Sequence, residues 1–245
     1  MDIPARIKGL TYNFTFQFDL GANLTRFYEE NTKSVLLQHP NINFKKPGIV
    51  FGDFTASSQN CYIQKGYGEA IILDSLNKNA ETRIGTIGSD MFKNKVLIID
   101  YPNQRFSICD TMPSLLCEKM IDITLDKYGR IILPMLLKGK KFKVLFDNGS
   151  SIFSLLTSVD KINNFSTEQD VDTMQIRAWG DFHLVIGRPL KDTFILAGQK
   201  YANITAYADH SDKEATDQYD AITGNALFWD KTVVIDFRNK KFGLR

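Results

Sequence analysis

Alternating apolar and polar residues predict β-strands in both halves of the chain. Phenylalanine occupies every second position of residues 14–18, and residues 142–146 alternate Phe, Val and Phe with Lys and Leu. A period of two places alternate side chains on one face of a strand. The β-branched runs at 96–99 and 233–235 predict buried strands. Helix is expected only over short stretches, near 24–30 and 91–94, so the pattern indicates an all-β protein.

An internal repeat organises these strands. Residues 87–108 align with residues 223–244 at an offset of 136, and seven of the 22 positions are identical. The strand that ends in Asp19-Leu20-Gly21 similarly matches the strand that ends in Asp147-Asn148-Gly149, at an offset of 128. Two similar lobes in tandem are therefore expected, 1–112 and 113–245, each running from an Asp-x-Gly turn to a Gly-x-x-x-Phe element.

The two Asp-x-Gly turns are the candidate chemistry. The triplet is common by chance, but here each copy closes an apolar strand at an equivalent place in a repeated unit. Two lobes related by a pseudo-twofold axis would bring Asp19 and Asp147 together. Two neighbouring carboxylates share a proton, so that one can accept a proton from water while the other polarises an amide carbonyl.

On these residues the chain resembles the pepsin-like and retropepsin-like aspartic proteases in their single-chain, two-lobe form. Their signature, two hydrophobic residues followed by Asp-Thr/Ser-Gly-Ser/Ala, is matched here by residues 17–22 and 145–151. The resemblance implies an all-β, bilobal fold of two pseudo-twofold-related β-barrel lobes with a central cleft. It also implies an endopeptidase in which Asp19 and Asp147 activate water against extended peptides.

Further site residues follow from the resemblance. Gly21, Ala22, Gly149 and Ser150 complete the active-site turns, and Gly88 and Gly224 match the glycines that cross beneath them in the family. A tyrosine on a first-lobe hairpin covers the family's cleft. Tyr67, between Gly66 and Gly68, and Tyr62 are the candidates for that flap, and an ordinary strand tyrosine is the alternative.

Two departures from the signature bear on activity. Leu20 and Asn148 stand where the family has a Thr or Ser whose hydroxyl bonds across to the other lobe. Leu20 has no hydroxyl and Asn148 can make only a different bond, and a lost supporting bond costs about 1–3 kcal/mol. A catalytically weak or inactive peptide-binding relative is therefore the alternative to an active endopeptidase.

Composition narrows the function classes. The 245 residues carry a formal charge of +2, and 43% are hydrophobic, which suits a folded core and argues against disorder. We expect no nucleic-acid partner, because the densest basic cluster, Lys138 to Lys143, reads as a hairpin turn around Gly139. The longest apolar run is seven residues, so no membrane span is expected. A monomer that binds a peptide or protein substrate, without cofactor, fits best.

Other polar residues have structural interpretations. Asp100 and Asp236 repeat as faithfully as the proposed pair, but each precedes an Asn-containing turn and is expected to cap it. The acidic segment 210–220 is interpreted as a solvated loop, so no metal is implied. Cys109 and Cys117 can close a short loop in an oxidising compartment or stay as thiols.

The start of the chain carries an expectation about processing. The second lobe has a strand-like lead over 121–133 before its Asp strand, whereas the first lobe has only residues 1–11 in that place. The chain is expected to be the trimmed form of a longer precursor. That form is compatible with an exported protein, periplasmic or secreted, whose signal peptide has been removed.

Overall fold

The computed structural model describes residues 1–56, 60–73, 82–114, 119–150, 152–178, 181–210 and 218–245, without the side chains of 177 and 178. The chain divides into two compact units, Met1–Lys93 (unit 1) and Asn94–Arg245 (unit 2). Strands dominate both units, and one α-helix occurs among the described residues. The expected all-β class is confirmed.

Unit 1 is built on one seven-stranded sheet with the order β5-β4-β1-β2-β7-β3-β6. Its strands are β1 (Asp2–Ile7), β2 (Phe14–Phe18), β3 (Arg26–Tyr28), β4 (Ile49–Phe51), β5 (Phe54–Ala56), β6 (Tyr62–Gln64) and β7 (Thr82–Ile87). Helix α1 covers Glu29–Gln38, and a 3₁₀ helix covers Ser89–Phe92.

Unit 2 contains a large sheet and a five-stranded sheet. The large sheet has the order β15-β16-β19-β14-β20-β13-β12-β17-β18, with β11 beside β12, and the smaller has the order β10-β22-β21-β8-β9. The strands are β8 (Val96–Asp100), β9 (Arg105–Cys109), β10 (Met120–Asp122), β11 (Thr124–Leu125), β12 (Ile131–Leu137), β13 (Lys140–Phe146), β14 (Leu155–Ser158), β15 (Asp172–Ala178), β16 (Asp181–Leu190), β17 (Phe194–Leu196), β18 (Gln199–Tyr201), β19 (Ile204–Asp209), β20 (Ala221–Thr223), β21 (Thr232–Asp236) and β22 (Lys241–Leu244). Two 3₁₀ helices cover Ile162–Asn164 and Asn225–Leu227.

The strands predicted from the alternating pattern are present. Phe14, Phe16 and Phe18 are buried in β2. Thr15, on the opposite face of β2, is buried as well, so both faces of this strand are shielded from solvent at its centre. The basic hairpin also forms, since β12 and β13 are joined through Lys138 and Gly139, both at positive φ. That conformation suits a tight two-residue turn.

The short helix expected over 24–30 is wrong. Residues 26–28 form β3, which pairs with β7 on one side and β6 on the other, and the helix begins only at Glu29. Phe27 is fully buried beneath this pairing and packs edge-on against Phe16. Burial of an aromatic side chain in the sheet therefore outweighs the local helix preference.

The division into units does not follow the repeat. β8 belongs to unit 2 because it pairs along its whole length with β21, its counterpart in the repeat. The lobe boundary predicted at 112/113 separates the two repeated sequences rather than the packed units, and it stays a prediction.

Candidate active-site turns

The Asp19 turn of unit 1 is fixed by its own backbone. The Asp19 N–H donates to the carbonyl of Ile87 at the end of β7, which runs parallel to β2. The carboxylate Oδ1 of Asp19 then accepts the N–H of Ala22 at 2.9 Å. Asp19 is buried, and Gln17 reaches its second carboxylate oxygen at 3.5 Å. These donors stabilise a negative carboxylate at the end of the strand.

The Asp147 turn of unit 2 has the same backbone arrangement. The Asp147 N–H donates to the carbonyl of Thr223 at the end of β20, which runs parallel to β13. Oδ1 of Asp147 accepts the N–H of Gly149 at 2.7 Å and that of Ser150 at 3.3 Å. Asp147 is half-buried, so this carboxylate is more open to solvent than that of Asp19.

Two glycines lie against the turns with no room for a side chain. A Cβ on Gly88 would lie 2.8 Å from the carbonyl oxygen of Ala22. A Cβ on Gly224 would lie only 1.6 Å from the carbonyl oxygen of Ser150 and 2.7 Å from that of Asp147. Each predicted supporting glycine therefore packs directly on the Asp turn of its own unit. Their role in catalysis stays a prediction.

A matched pair of aromatic contacts anchors the two turns. Phe18, just before Asp19, packs edge-on against Phe92 at 5.6 Å between ring centroids. Phe146, just before Asp147, packs in the same way against Phe228, also at 5.6 Å. The second ring in each case belongs to the Gly-x-x-x-Phe element, so that element holds the residue before the aspartate in the core.

Near the Asp19 turn, the half-buried carboxylate of Asp90 supports Gly88. Asp90 accepts hydrogen bonds from both the backbone N–H and the hydroxyl of Thr25, and that hydroxyl accepts the N–H of Gly88. Burial raises the pKa of the Asp90 carboxyl, and the two Thr25 donors only partly oppose this. The thiol of Cys61, buried near Asp90, has its pKa raised to about 12 by the same desolvation, which makes it unreactive at neutral pH.

Beneath the Asp147 turn, a chain of neutral groups replaces that carboxylate. Asn225 donates from Nδ2 to the carbonyl oxygen of Asn148 at 2.8 Å, and the hydroxyl of Tyr101 donates to Oδ1 of Asn225. Asn148 and Asn225 are fully buried. The pKa of Tyr101 is raised, mainly by burial and further by the charge of Asp147. The sequence analysis did not identify Tyr101 or Asn225. The one available signal was that Tyr101 carries a hydroxyl where the other repeat has Phe237.

The two departures from the family signature are both buried. Leu20 is 0% exposed, so hydrocarbon fills the place after Asp19. Asn148 is equally buried, and its carbonyl accepts the Asn225 amide. Neither residue supplies the hydroxyl of the signature.

Of the two candidate flap tyrosines, Tyr67 lies beside helix α1. The carbonyl of Tyr67 accepts the N–H of Glu30, and its ring is 6.1 Å from that of Tyr28. Gly66 and Gly68 have positive φ, and a Cβ on Gly68 would lie 1.9 Å from Oδ1 of Asn31 in the helix. Tyr62 is exposed on β6. A flap role for either stays a prediction.

The two repeated acids outside the turns cap their loops, as expected. Asp100 accepts the backbone N–H and the side-chain amide of Asn103, and Asp236 accepts the same two groups of Asn239. These bonds give both aspartates a structural role in capping the turn that follows each strand.

Two other expectations fall partly outside the described residues. Cys117 lies there, so pairing with Cys109 is not tested, and so does 211–217 of the acidic segment interpreted as a loop. No group of three or more His, Cys, Asp or Glu side chains with metal-site geometry occurs among the described residues. None of the helices in the described ranges is long and apolar enough to span a bilayer.

Comparison with known proteins finds structural likeness but no matching family. No protein-family model and no curated protein matches the chain. A retropepsin-like aspartic protease from Rickettsia conorii is similar in structure, with a TM-score of 0.35 and 14% sequence identity. The likeness covers 51% of this chain and 91% of that protein. It is too distant to assign a function, and the all-β class follows from the strands of the chain itself.

Proposed function

We propose that this protein is an aspartic-type endopeptidase whose catalytic pair is Asp19 and Asp147. The observation that carries the proposal is the matched construction of the two turns. In each, the Asp N–H bonds to the end of a parallel strand, its carboxylate accepts turn N–H groups, and a glycine packs against the turn. Equivalent construction at both sites is what a symmetric pair of carboxylates requires.

The chemistry of such a pair is a shared proton. The ionised carboxylate takes a proton from water, which attacks the scissile carbonyl, while the protonated carboxyl donates to the carbonyl oxygen. The proton then passes to the leaving amine as the carbon–nitrogen bond breaks. The substrate is an extended peptide bound between two lobes, 1–112 and 113–245, of a monomer, and Tyr67 or Tyr62 is the flap that covers it.

Digestion of a diverse peptide mixture between roughly pH 3 and 7, the range in which a shared proton titrates, tests the proposal. Mass spectrometry reads the products for the parent protein, Asp19→Asn and Asp147→Ala. Cleavage is expected from the parent and from neither variant. Asp100→Asn is the matched control, because Asp100 is repeated as faithfully but caps a turn. A folded Asp19→Asn protein that still cleaves would falsify the assignment of the pair.

The second candidate function is peptide binding without useful turnover. The buried hydrocarbon of Leu20 favours it, because a pair of carboxylates held without the supporting hydroxyl loses alignment. A folded parent that binds peptides but cuts none at any pH would select this function. Leu20→Thr would then be the first variant expected to gain activity.

A further inference from the structure

The hydrogen-bonded chain beneath the Asp147 turn begins at a residue from the other repeat. Tyr101 follows β8, and its hydroxyl is buried and donates to Oδ1 of Asn225. Asn225 in turn donates to the carbonyl of Asn148, the residue directly after Asp147. Two side chains and one peptide group thus connect the end of β8 to the turn that carries the carboxylate.

The Tyr101 hydroxyl sets the orientation of the Asn225 carboxamide. A carboxamide has an acceptor end and a donor end that differ little in shape, so its orientation is set by its partners. With the Tyr101 hydroxyl on Oδ1, the amide Nδ2 must face the carbonyl of Asn148. Without that hydroxyl a rotated amide would set two oxygens against each other in a buried site, which is unfavourable.

We propose that Tyr101 is a positioning residue for Asp147, acting through Asn225 to hold the peptide group between Asn148 and Gly149 in place. That peptide group supplies the Gly149 N–H, which donates to the Asp147 carboxylate at 2.7 Å. Fixing its carbonyl side therefore also fixes the N–H that orients the carboxylate. This role in catalysis rests on the proposed endopeptidase function.

Two observations support a positioning role for Tyr101. Burial and the nearby charge of Asp147 raise the pKa of Tyr101, so its hydroxyl stays protonated and remains a donor throughout the acidic and neutral range. At the equivalent positions of the other repeat stand Phe237 and Ser89, which lack this phenol and carboxamide. Ser89 instead donates its backbone N–H to the carbonyl of Ala22. The hydrogen-bonded path from Tyr101 through Asn225 to the Asn148 carbonyl, here called the relay, is therefore specific to the Asp147 turn.

The first experiment measures hydrogen exchange at turn amides by NMR in the parent, Tyr101→Phe and the control Tyr201→Phe. Tyr201 is a partly buried tyrosine of the same unit whose hydroxyl has no hydrogen-bond partner among the residues that the structure describes. Tyr101→Phe is expected to speed exchange at Gly149 and Ser150 about tenfold, as the loss of one supporting bond implies. Exchange at Ala22, in the equivalent turn of unit 1, should stay unchanged in both variants. Unchanged exchange at Gly149 and Ser150 would overturn the positioning role.

The second experiment measures kcat and KM on a cleaved peptide. Tyr101→Phe is expected to lower kcat about tenfold with KM within about twofold, because a positioning group acts in the transition state. Asn225→Ser should lower kcat similarly, and the double variant should lose no more than Asn225→Ser alone, since Tyr101 acts through Asn225. A further loss in the double variant would contradict the relay. If the parent cleaves nothing, the proposed function fails, and hydrogen exchange alone decides whether Tyr101 holds the turn.

Discussion

The turns at Asp19 and Asp147 share a backbone and differ in the side chains beneath it. In both, the aspartate follows a strand that runs parallel to a second strand, and a glycine comes directly after that second strand. Both turns also have a pair of phenylalanine rings whose centroids lie 5.6 Å apart. Yet Asp90 and Thr25 support the first, whereas Asn225 and Tyr101 support the second. The comparison teaches that the repeat preserves main-chain geometry, and that each turn has its own set of polar groups to maintain it.

The largest difference in stability between the two turns is expected when the glycine beside each turn is replaced. Gly224→Ala should destabilise the protein by about 4 kcal/mol, and Gly88→Ala by about 2 kcal/mol, because backbone atoms cannot move aside for the new Cβ. The order follows the distances of 1.6 Å and 2.8 Å to the nearest carbonyl oxygen. Urea unfolding followed by circular dichroism measures both variants.

Gly243→Ala is the control for this pair. Its new Cβ would meet the Met120 side chain at 3.0 Å, and a flexible methionine can shift. A loss of under about 1 kcal/mol is expected. Equal losses for Gly88→Ala and Gly224→Ala would show that the turns relax alike and that the comparison of their packing is wrong.

A smaller difference is expected at the two capping aspartates. Asp236→Ala should cost about 2 kcal/mol and Asp100→Ala about 0.5–1 kcal/mol, since Asp236 is buried and Asp100 only half-buried. The backbone bond is also shorter at Asp236, 2.8 Å against 3.3 Å. Chemical denaturation of both variants checks the order, and Asp→Asn at either position should recover part of the loss because an acceptor remains.

The smallest expected effect is a pH dependence of stability that comes from Asp90, beside the Asp19 turn. Because burial raises the pKa of Asp90 above its ordinary value of 3.8, the folded protein holds a proton that the unfolded chain has released. The corresponding stabilisation is present below that value and is lost as the pH rises through the raised pKa. Asp90→Asn should abolish this part of the pH dependence of the melting temperature.

Ala226 occupies the position of Asp90 in the other repeat and cannot titrate. Ala226→Gly is therefore the control, and it should lower the melting temperature equally at every pH. A parent and an Asp90→Asn variant whose melting temperatures run parallel from pH 3 to 7 would show that Asp90 titrates normally when folded.

Local patterns predicted what depends on neighbours in sequence. The alternating phenylalanines located β2, the Lys138-Gly139 pair located a hairpin, and the Asn-containing turns identified Asp100 and Asp236 as caps. Each of these features is decided within a few residues. The position of an aspartate at the end of a strand is of the same kind.

Long-range contacts decided the features that sequence did not predict. β3 replaced a predicted helix because it pairs with β7, some 60 residues away. The relay from Tyr101 to Asn225 joins residues 124 apart, and neither residue carries a local motif. The flap role inferred for Tyr67 from its flanking glycines stays a prediction; Gly68 packs against Asn31 of a helix that the local pattern placed at 24–30.

The ladder between β8 and β21 imposes an order in time on the synthesis of the protein. At least 132 residues separate each paired residue of β8 from its partner in β21. A ribosome adds these residues in about 7 to 26 seconds. During that time β8 can pair with β9, but the edge of β8 that β21 later covers stays unpaired. The five-stranded sheet of unit 2 is therefore completed only after β21 has left the ribosome, and until then the apolar strand β8 forms an open sheet edge that can pair with another chain.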